Sequence, residues 1–326
     1  MHLQVTHETC YDYTPAVEVA QHMAYLRPRA TAQQQLLAHA LLVEPGAEQQ
    51  GDAQDVFGNT RTFISLQTPH GQLRVVARSL VATTADVMPG STVAWEQVRE
   101  RYRYHADGAY DAATEFIFAS PYVPRHAGFA SYARASFLPG SSLFDAALDL
   151  MHRIHADFRY ESQSTQVSTP ALEALEQRKG VCQDFAHIMV ACLRSLGLAA
   201  RYVSGYLLTQ PGPGPARMLG GDASHAWVSV CLPDLPAERR WCDFDPTNDR
   251  WGWGAPGEDY VVLAIGRDFA DVSPIRGVIH GGAQHDLRVS VTVEQIETIP
   301  DAVLRPLVQT QRQSQSQTQR GASPAP

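Results

Sequence analysis

Between Cys182 and Gly197 the apolar residues fall at helical spacing, and the helix they predict begins on a cysteine. Phe185, Met189, Cys192, Leu193 and Leu196 follow one another at steps of four, three, one and three. A stripe of that period is one buried helix face. Gly197 is the residue type that closes such a helix. Lys179-Gly180-Val181 stands just before, so Cys182 occupies the first turn. ARYVSGYLL (200–208) then reads as a strand. The chain therefore has to bury a cysteine-headed helix close to β structure.

The flanking sequence supplies that structure. LQVTHETCYDY, LAHALLVEP, TRTFISLQT and LRVVARSLVATT are strand-like, and PG, FGN and PHG punctuate them as turns, which suggests an antiparallel sandwich. WEQVRERYRYH starts a helix within a connecting stretch. Ser141-Ser142 caps a second helix, whose apolar positions are Phe144, Leu148 and Met151. Thr169 and Pro170 are the N-cap and first residue of a third, with Leu172 and Leu175 on its face. After a loop, PGPGPARMLGGD, come HAWVSVCL (225–232) and WCDFD (241–245), whose short connection makes them antiparallel neighbours. VVLAI and DLRVSVTVEQIE are further strands. The fold class is α+β: a β-rich domain over 1–95, a connector over 96–140, a papain-like core with C-terminal strands over 141–297, and a disordered tail over 298–326. The tail is most polar from about Gln309 onward.

A catalytic cysteine needs a stabilised thiolate, a nearby base and a group that orients the base. At Cys182 the unpaired N–H groups and dipole of the helix favour negative charge, and Lys179 adds positive charge nearby. His225 opens a strand after the Gly-rich loop, and Asp245 ends the next one. In an antiparallel pair the start of one strand lies beside the end of the other, so His225 and Asp245 can meet. Asp243, on the same face, is the rival carboxylate. Taken singly, a strand-start histidine is more often a surface group and an Asp-Pro-Thr-Asn aspartate a turn former. Cys192, Cys231 and Cys242, inside regular elements, read as buried apolar residues.

Composition narrows the remaining classes. A formal charge of −8 with no Lys/Arg stripe excludes a nucleic-acid binder. No basic start leads into an apolar run and no apolar stretch is long enough for a bilayer, so neither a secretory signal nor a membrane partner is expected and the default location is the cytoplasm. Five scattered cysteines read as free thiols. The histidine pairs of HRIH (152–155) and HGGAQH (280–285) have no third ligand close in sequence, so they read as solvated or core histidines and no metal is expected. GPGP and GGD lack the strand-to-helix setting of a phosphate loop, so no cofactor is expected either. The tryptophans 227, 241, 251 and 253 read first as core packing and second as lining of a substrate cleft.

RKGVCQDFAHIMVACLRSLGLAARYVSGYL (178–207), DASHAWVSV (222–230) and WCDFDPTND (241–249) together resemble the core of the transglutaminase-like superfamily, with 43 residues from Cys182 to His225 and 20 from His225 to Asp245. HETCYDYTPAV, QHMAYLRPR, DVFGNTRTF and PHGQLRVVARS resemble the β-rich region that precedes this core in bacterial members, and AIGRDFADVSPIRGV resembles their C-terminal segment. The resemblance implies Cys182 as nucleophile, His225 as base and acid, and Asp245 rather than Asp243 as the orienting carboxylate. It also implies acyl transfer on a peptide or protein amide through a thioester, with the backbone N–H of Cys182 as one oxyanion donor. Tyr160 and Gln177 are the candidates for the second donor. The chain has no obvious acidic calcium loop and lacks the extra C-terminal β domains of the animal cross-linking enzymes. Hydrolysis is therefore expected ahead of transamidation. The reading from another class is a non-catalytic peptide-binding scaffold, against which the presence of all three residue types stands.

Overall fold

One strand organises the N-terminal region. In this computed structural model, which describes residues 1–86, 91–103, 109–161, 169–208, 224–282 and 284–297, β1 spans His2–Ala24. It is followed by β2 (Gln34–Glu44), β3 (Gln49–Gln54), β4 (Thr60–Leu66) and β5 (His70–Thr83). The connector carries α1 (Trp95–Arg101), a 3-10 turn (Ala112–Ile117) and α2 (Ala127–Ala133). The core holds α3 (Leu143–Asp157), β6 (Arg159–Tyr160), α4 (Ala171–Gln177), β7 (Lys179–Gly180), α5 (Cys182–Ser195), β8 (Ala200–Leu207), β9 (Ser224–Cys231), β10 (Trp241–Asp245), β11 (Arg250–Trp253) and β12 (Tyr260–Gly266). The chain closes with α6 (Phe269–Val272), β13 (Ile275–Gly281) and β14 (Gln284–Gln295).

β5 and then β4 run antiparallel along one edge of β1, and β14 and then β13 along the other. All three lines break at the same level. There β1 carries Pro15, which has no N–H for the ladder, and its register against β5 shifts between Asp12 and Val17. Beyond Pro15 the strand resumes to Ala24, so what reads in sequence as a strand end is a bend. β2 and β3 complete a single seven-stranded sheet in place of the expected sandwich. β3 (QQGDAQ) is fully exposed, and its polar composition hid it. Residues 284–295, assigned in sequence to the core, instead pair with β1 over twelve positions, because a partner so distant in sequence leaves no local signal.

A second sheet, in the order β11-β10-β9-β8-β12, is antiparallel throughout. α5 lies against β8 and β9, burying Phe185, Ile188, Met189, Cys192 and Leu193 in the main core. Arg194, on the same helix, is buried as well. It donates to the carbonyls of Ala200, Phe118 and Arg267 and to Ser120 Oγ, tying the helix end to three other segments. α3 is capped by Ser142, whose side chain accepts from Asp145 N. α4 begins at Ala171 with Pro170 as N-cap, so Thr169, the expected cap, lies one residue ahead of it.

The two sheets are joined by packing and by amides. Leu3, Val5, Val81, Val291 and Val293 bury against Tyr206, Val261 and Leu263. β12 is an edge strand, and two side chains of the N-terminal region satisfy its backbone. Asn59 donates to Ile265 O (2.7 Å) and accepts from Ile265 N (2.9 Å). Gln34 makes the same pair of bonds to Val262 at 2.8 and 2.7 Å. Asp55 Oδ1 accepts from the N–H groups of Phe57 and Asn59, shaping the turn that presents Asn59. The DVFGN segment is therefore a clasp for the core. The loop PGPGPARMLGGD (211–222) and the tail 298–326 lie outside the described residues. Among the described residues no helix is long and apolar enough to cross a membrane.

Candidate active site

The start of α5 is built from Gly180 to Asp184. Val181 is the N-cap, and its N–H donates to Asp184 Oδ2 at 2.8 Å. A Cβ on Gly180 would stand 2.6 Å from that carboxylate oxygen, so glycine is what lets Asp184 fold back beneath the turn. Cys182 is then the first helical residue and is partly exposed. Lys179 pairs with Glu161 at 3.9 Å, so its charge is shared rather than free for the sulfur.

His225 and Asp245 come from adjacent antiparallel strands. The register sets Phe244 opposite Val228, so Asp245 stands beside Trp227 and reaches His225 diagonally. Nε2 of His225 lies 2.7 Å from Asp245 Oδ2. That same oxygen accepts from Asn248 Nδ2 (2.7 Å) and from the Tyr260 hydroxyl (2.7 Å). Oδ1 accepts from the N–H groups of Thr247 (2.9 Å) and Asn248 (3.3 Å). The carboxylate is wholly buried yet fully solvated by protein donors. Burial alone would raise its pKa, but the bonds to His225, Asn248 and Tyr260 hold it below the ordinary carboxylate value.

His225 shows the complementary shift. Burial acts to lower its pKa, but the bond to Asp245 and the sulfur of Cys182 outweigh it and raise the net value. The influence of the Cys182 sulfur on the ring shows that the start of α5 and the start of β9 lie close together. With Nε2 given to Asp245, Nδ1 is the nitrogen left to face the sulfur. Trp227 stacks on one side of the imidazole at 6.1 Å, and Tyr260 packs at 6.0 Å. Sequence reasoning missed Asn248 and Tyr260, the two side chains that share Oδ2. Asn248 was within reach, since it lies in the quoted WCDFDPTND block. Tyr260 comes from β12 and had no local signal.

Asp243, the rival carboxylate, takes no part in this network. It sits on the same face of β10, is 3% exposed, and has its pKa pushed up to about 6 by burial despite the nearby Arg201. Gln177 is exposed and bonds Glu173, so it is not brought to the site. Tyr160 lies beside Gly180 through the β6–β7 bridge, with its ring against Phe185. Cys192, Cys231 and Cys242 are buried, and burial raises the thiol pKa of each. Cys10 is half-buried and also raised by burial. The histidines of HRIH fix the loop behind the site: His152 Nδ1 lies 2.5 Å from Asp249 Oδ1, and His155 Nδ1 lies 3.1 Å from Thr247 O. His280 pairs with Glu18, and His285 packs against Tyr11 and Tyr13. Trp227 and Trp253 are buried, while Trp251 is partly exposed against Phe144.

Comparison with known proteins bears on this arrangement. Residues 3–82 match the bacterial transglutaminase-like N-terminal region, and residues 130–246, which include Cys182, His225 and Asp245, match the transglutaminase-like superfamily. Uncharacterized proteins of Mycobacterium tuberculosis and Mycobacterium bovis are 37% identical over 306 residues, covering 92% of this chain and 94% of theirs. The chain belongs to the transglutaminase-like superfamily. A further uncharacterized relative, from Mycobacterium leprae, is 28% identical over 297 residues, covering 90% of this chain and 99% of its own. A crystal structure from Cytophaga hutchinsonii, provisionally assigned as a cysteine protease, shares the transglutaminase-like fold with a TM-score of 0.67. It is 21% identical and covers 92% of this chain and 93% of its own. Family and fold point to a cysteine-dependent activity.

Proposed function

We propose that this protein catalyses acyl transfer from peptide or isopeptide amides, with Cys182 as nucleophile, His225 as general base and acid, and Asp245 as the carboxylate that orients the imidazole. One observation carries the reading: His225 is held at 2.7 Å by a buried carboxylate, and the partly exposed sulfur of Cys182 lies near enough to raise the pKa of the same ring. A histidine kept for structure has no need of five donors arranged around its carboxylate.

The sulfur attacks the amide carbonyl after its proton passes to His225, and a C–S bond forms as the carbonyl π bond opens. Collapse of the tetrahedral adduct breaks the C–N bond, and His225 returns the proton to the leaving amine. The thioester that remains is resolved by water, which restores the thiol and releases a carboxylic acid, or by a second amine, which gives a new amide. The backbone N–H of Cys182 serves as one oxyanion donor, and Tyr160, whose backbone pairs with Gly180 just ahead of α5, is the candidate for the second. Hydrolysis is the favoured outcome, in keeping with the cysteine-protease assignment of the Cytophaga hutchinsonii protein.

The test is a peptide library incubated with the purified chain, with and without an added primary amine. New amine termini or released ammonia without incorporation indicate hydrolysis, and mass gain by the amine indicates transamidation. Cys182→Ser should abolish both. Persistence of either activity in that variant would remove Cys182 from the chemistry, and inactivity of the wild type across the library would favour the peptide-binding scaffold.

A further inference from the structure

A second polar cluster lies on the same sheet face as the His225–Asp245 pair, away from Cys182. The registers of β8, β9 and β10 set Arg201 opposite Ser229 and Ser229 opposite Asp243, forming one row across three strands. The Arg201 Nε and the Trp253 indole N–H are buried without a hydrogen-bond partner, while the Ser229 hydroxyl and the Trp227 indole are turned to the buried Asp243 carboxylate. Arg201, Asp243 and Trp253 line a cavity of about 230 Å³, together with Arg29, Trp241 and Val262. Arg29 and Arg201 also border a larger space that reaches Phe57 and Phe116. Arg29 donates to Phe57 O and Asn59 Oδ1, both neutral. The Arg201 guanidinium stands over the Trp241 ring at 4.1 Å. Among the described residues neither guanidinium has a carboxylate within ion-pair distance.

Arg201 and Trp253 put unpartnered donors on the wall of one cavity, beside the Asp243 carboxylate, and a ligand that meets all three would satisfy them together. A simple anion would satisfy the guanidiniums but stand against the Asp243 carboxylate. A simple cation would satisfy Asp243 but stand against two guanidiniums. A molecule with both charges on neighbouring atoms suits the row. At roughly 30 Å³ per water-sized group, the cavity holds on the order of eight non-hydrogen atoms. Its walls of Trp241, Trp253 and Val262 are apolar.

We propose that this cavity binds a free α-amino acid of valine-to-leucine size, with its carboxylate on Arg201 and Arg29, its ammonium on Asp243 and its side chain against the two indoles. Arg239 at the lining is ion-paired with Asp86 at 3.5 Å. The site lies two residues along β10 from Asp245 and does not use the triad.

Isothermal titration of the full chain with L-valine, L-leucine and L-methionine tests the assignment, alongside L-leucinamide, which lacks the carboxylate, and 4-methylpentanoate, which lacks the ammonium. At least one amino acid should bind, and both truncated analogues should bind at least tenfold more weakly than leucine. Arg201→Gln and Asp243→Asn, each checked by thermal melting, should weaken binding tenfold or more, while Cys182→Ser should leave it intact. Should either row variant fail to fold, the analogue series on the wild type decides alone. Silence with all three amino acids would overturn the proposal. So would an analogue that binds as tightly as leucine, a folded row variant of unchanged affinity, or loss of binding in Cys182→Ser.

Discussion

His225 Nε2 and Asp245 Oδ2 stand 2.7 Å apart, and the oxygen is shared with Tyr260 and Asn248, so the imidazole is aimed by a carboxylate that cannot turn. Asp245→Asn keeps the volume but exchanges an acceptor for a donor. The wrong tautomer of His225 is then favoured and Nδ1 no longer presents a lone pair to the sulfur. The loss expected in kcat/KM on a cleavable peptide is about 10⁴-fold. A loss under tenfold would mean that Asp245 does not set the tautomer.

Tyr260→Phe removes one of three donors to Oδ2 while keeping the ring that packs against Trp227 at 5.4 Å. One buried hydrogen bond to a charged group is worth roughly 1.5–3 kcal/mol. A fall in kcat of about tenfold or more, with KM little changed, is the expected result, because Tyr260 acts through Asp245. Steady-state kinetics on the variant check it. A change confined to KM would place the hydroxyl against substrate instead.

Gly180→Ala tests how the cysteine is positioned. The added methyl would stand 2.6–2.7 Å from Asp184, forcing its carboxylate off Val181 N–H and loosening the first turn. The loss of that cap should destabilise the protein by about 1–2 kcal/mol and slow Cys182 alkylation. Denaturant melts and labelling rates read the two effects separately.

Acid should unfold the protein early. His7, His22 and His187 are buried, and burial pushes their pKa values down to about 4, 4 and 3 from an unfolded value of 6.5. Each folded value lies below its unfolded one, so protons bind the unfolded chain more readily. The stability these three contribute is whole above pH 6.5 and is lost as pH falls through about 4 to 3. A Tm lower by roughly 10 °C at pH 4.5 than at pH 7 is expected. Calorimetry across that range, repeated with His22→Phe, should show a shallower acid decline in the variant.

The sequence carries α5 and its cysteine clearly because a helix face is a local pattern: Phe185, Met189 and Cys192 need no distant partner to be recognised. The His225–Asp245 pairing was legible because the connection between their strands is short and fixes an antiparallel neighbour. β13 and β14 were not legible as part of the N-terminal sheet, since their pairing with β1 spans nearly the whole chain. Tyr260 was missed for the same reason. Pro15 misled in the opposite direction, as a residue that ordinarily ends a ladder here marks a bend shared by three lines of strands. Asn59 and Gln34 look like loop residues because their role, mimicking a strand against β12, exists only once the two sheets meet.

Site-resolved alkylation tests the central claim most directly. Iodoacetamide near neutral pH, followed by mass spectrometry of all five cysteines, should modify Cys182 at least tenfold faster than Cys10, Cys192, Cys231 or Cys242. His225→Ala should erase that advantage. Labelling of Cys182 no faster than Cys10, or unchanged in the His225 variant, would contradict an activated sulfur at the head of α5.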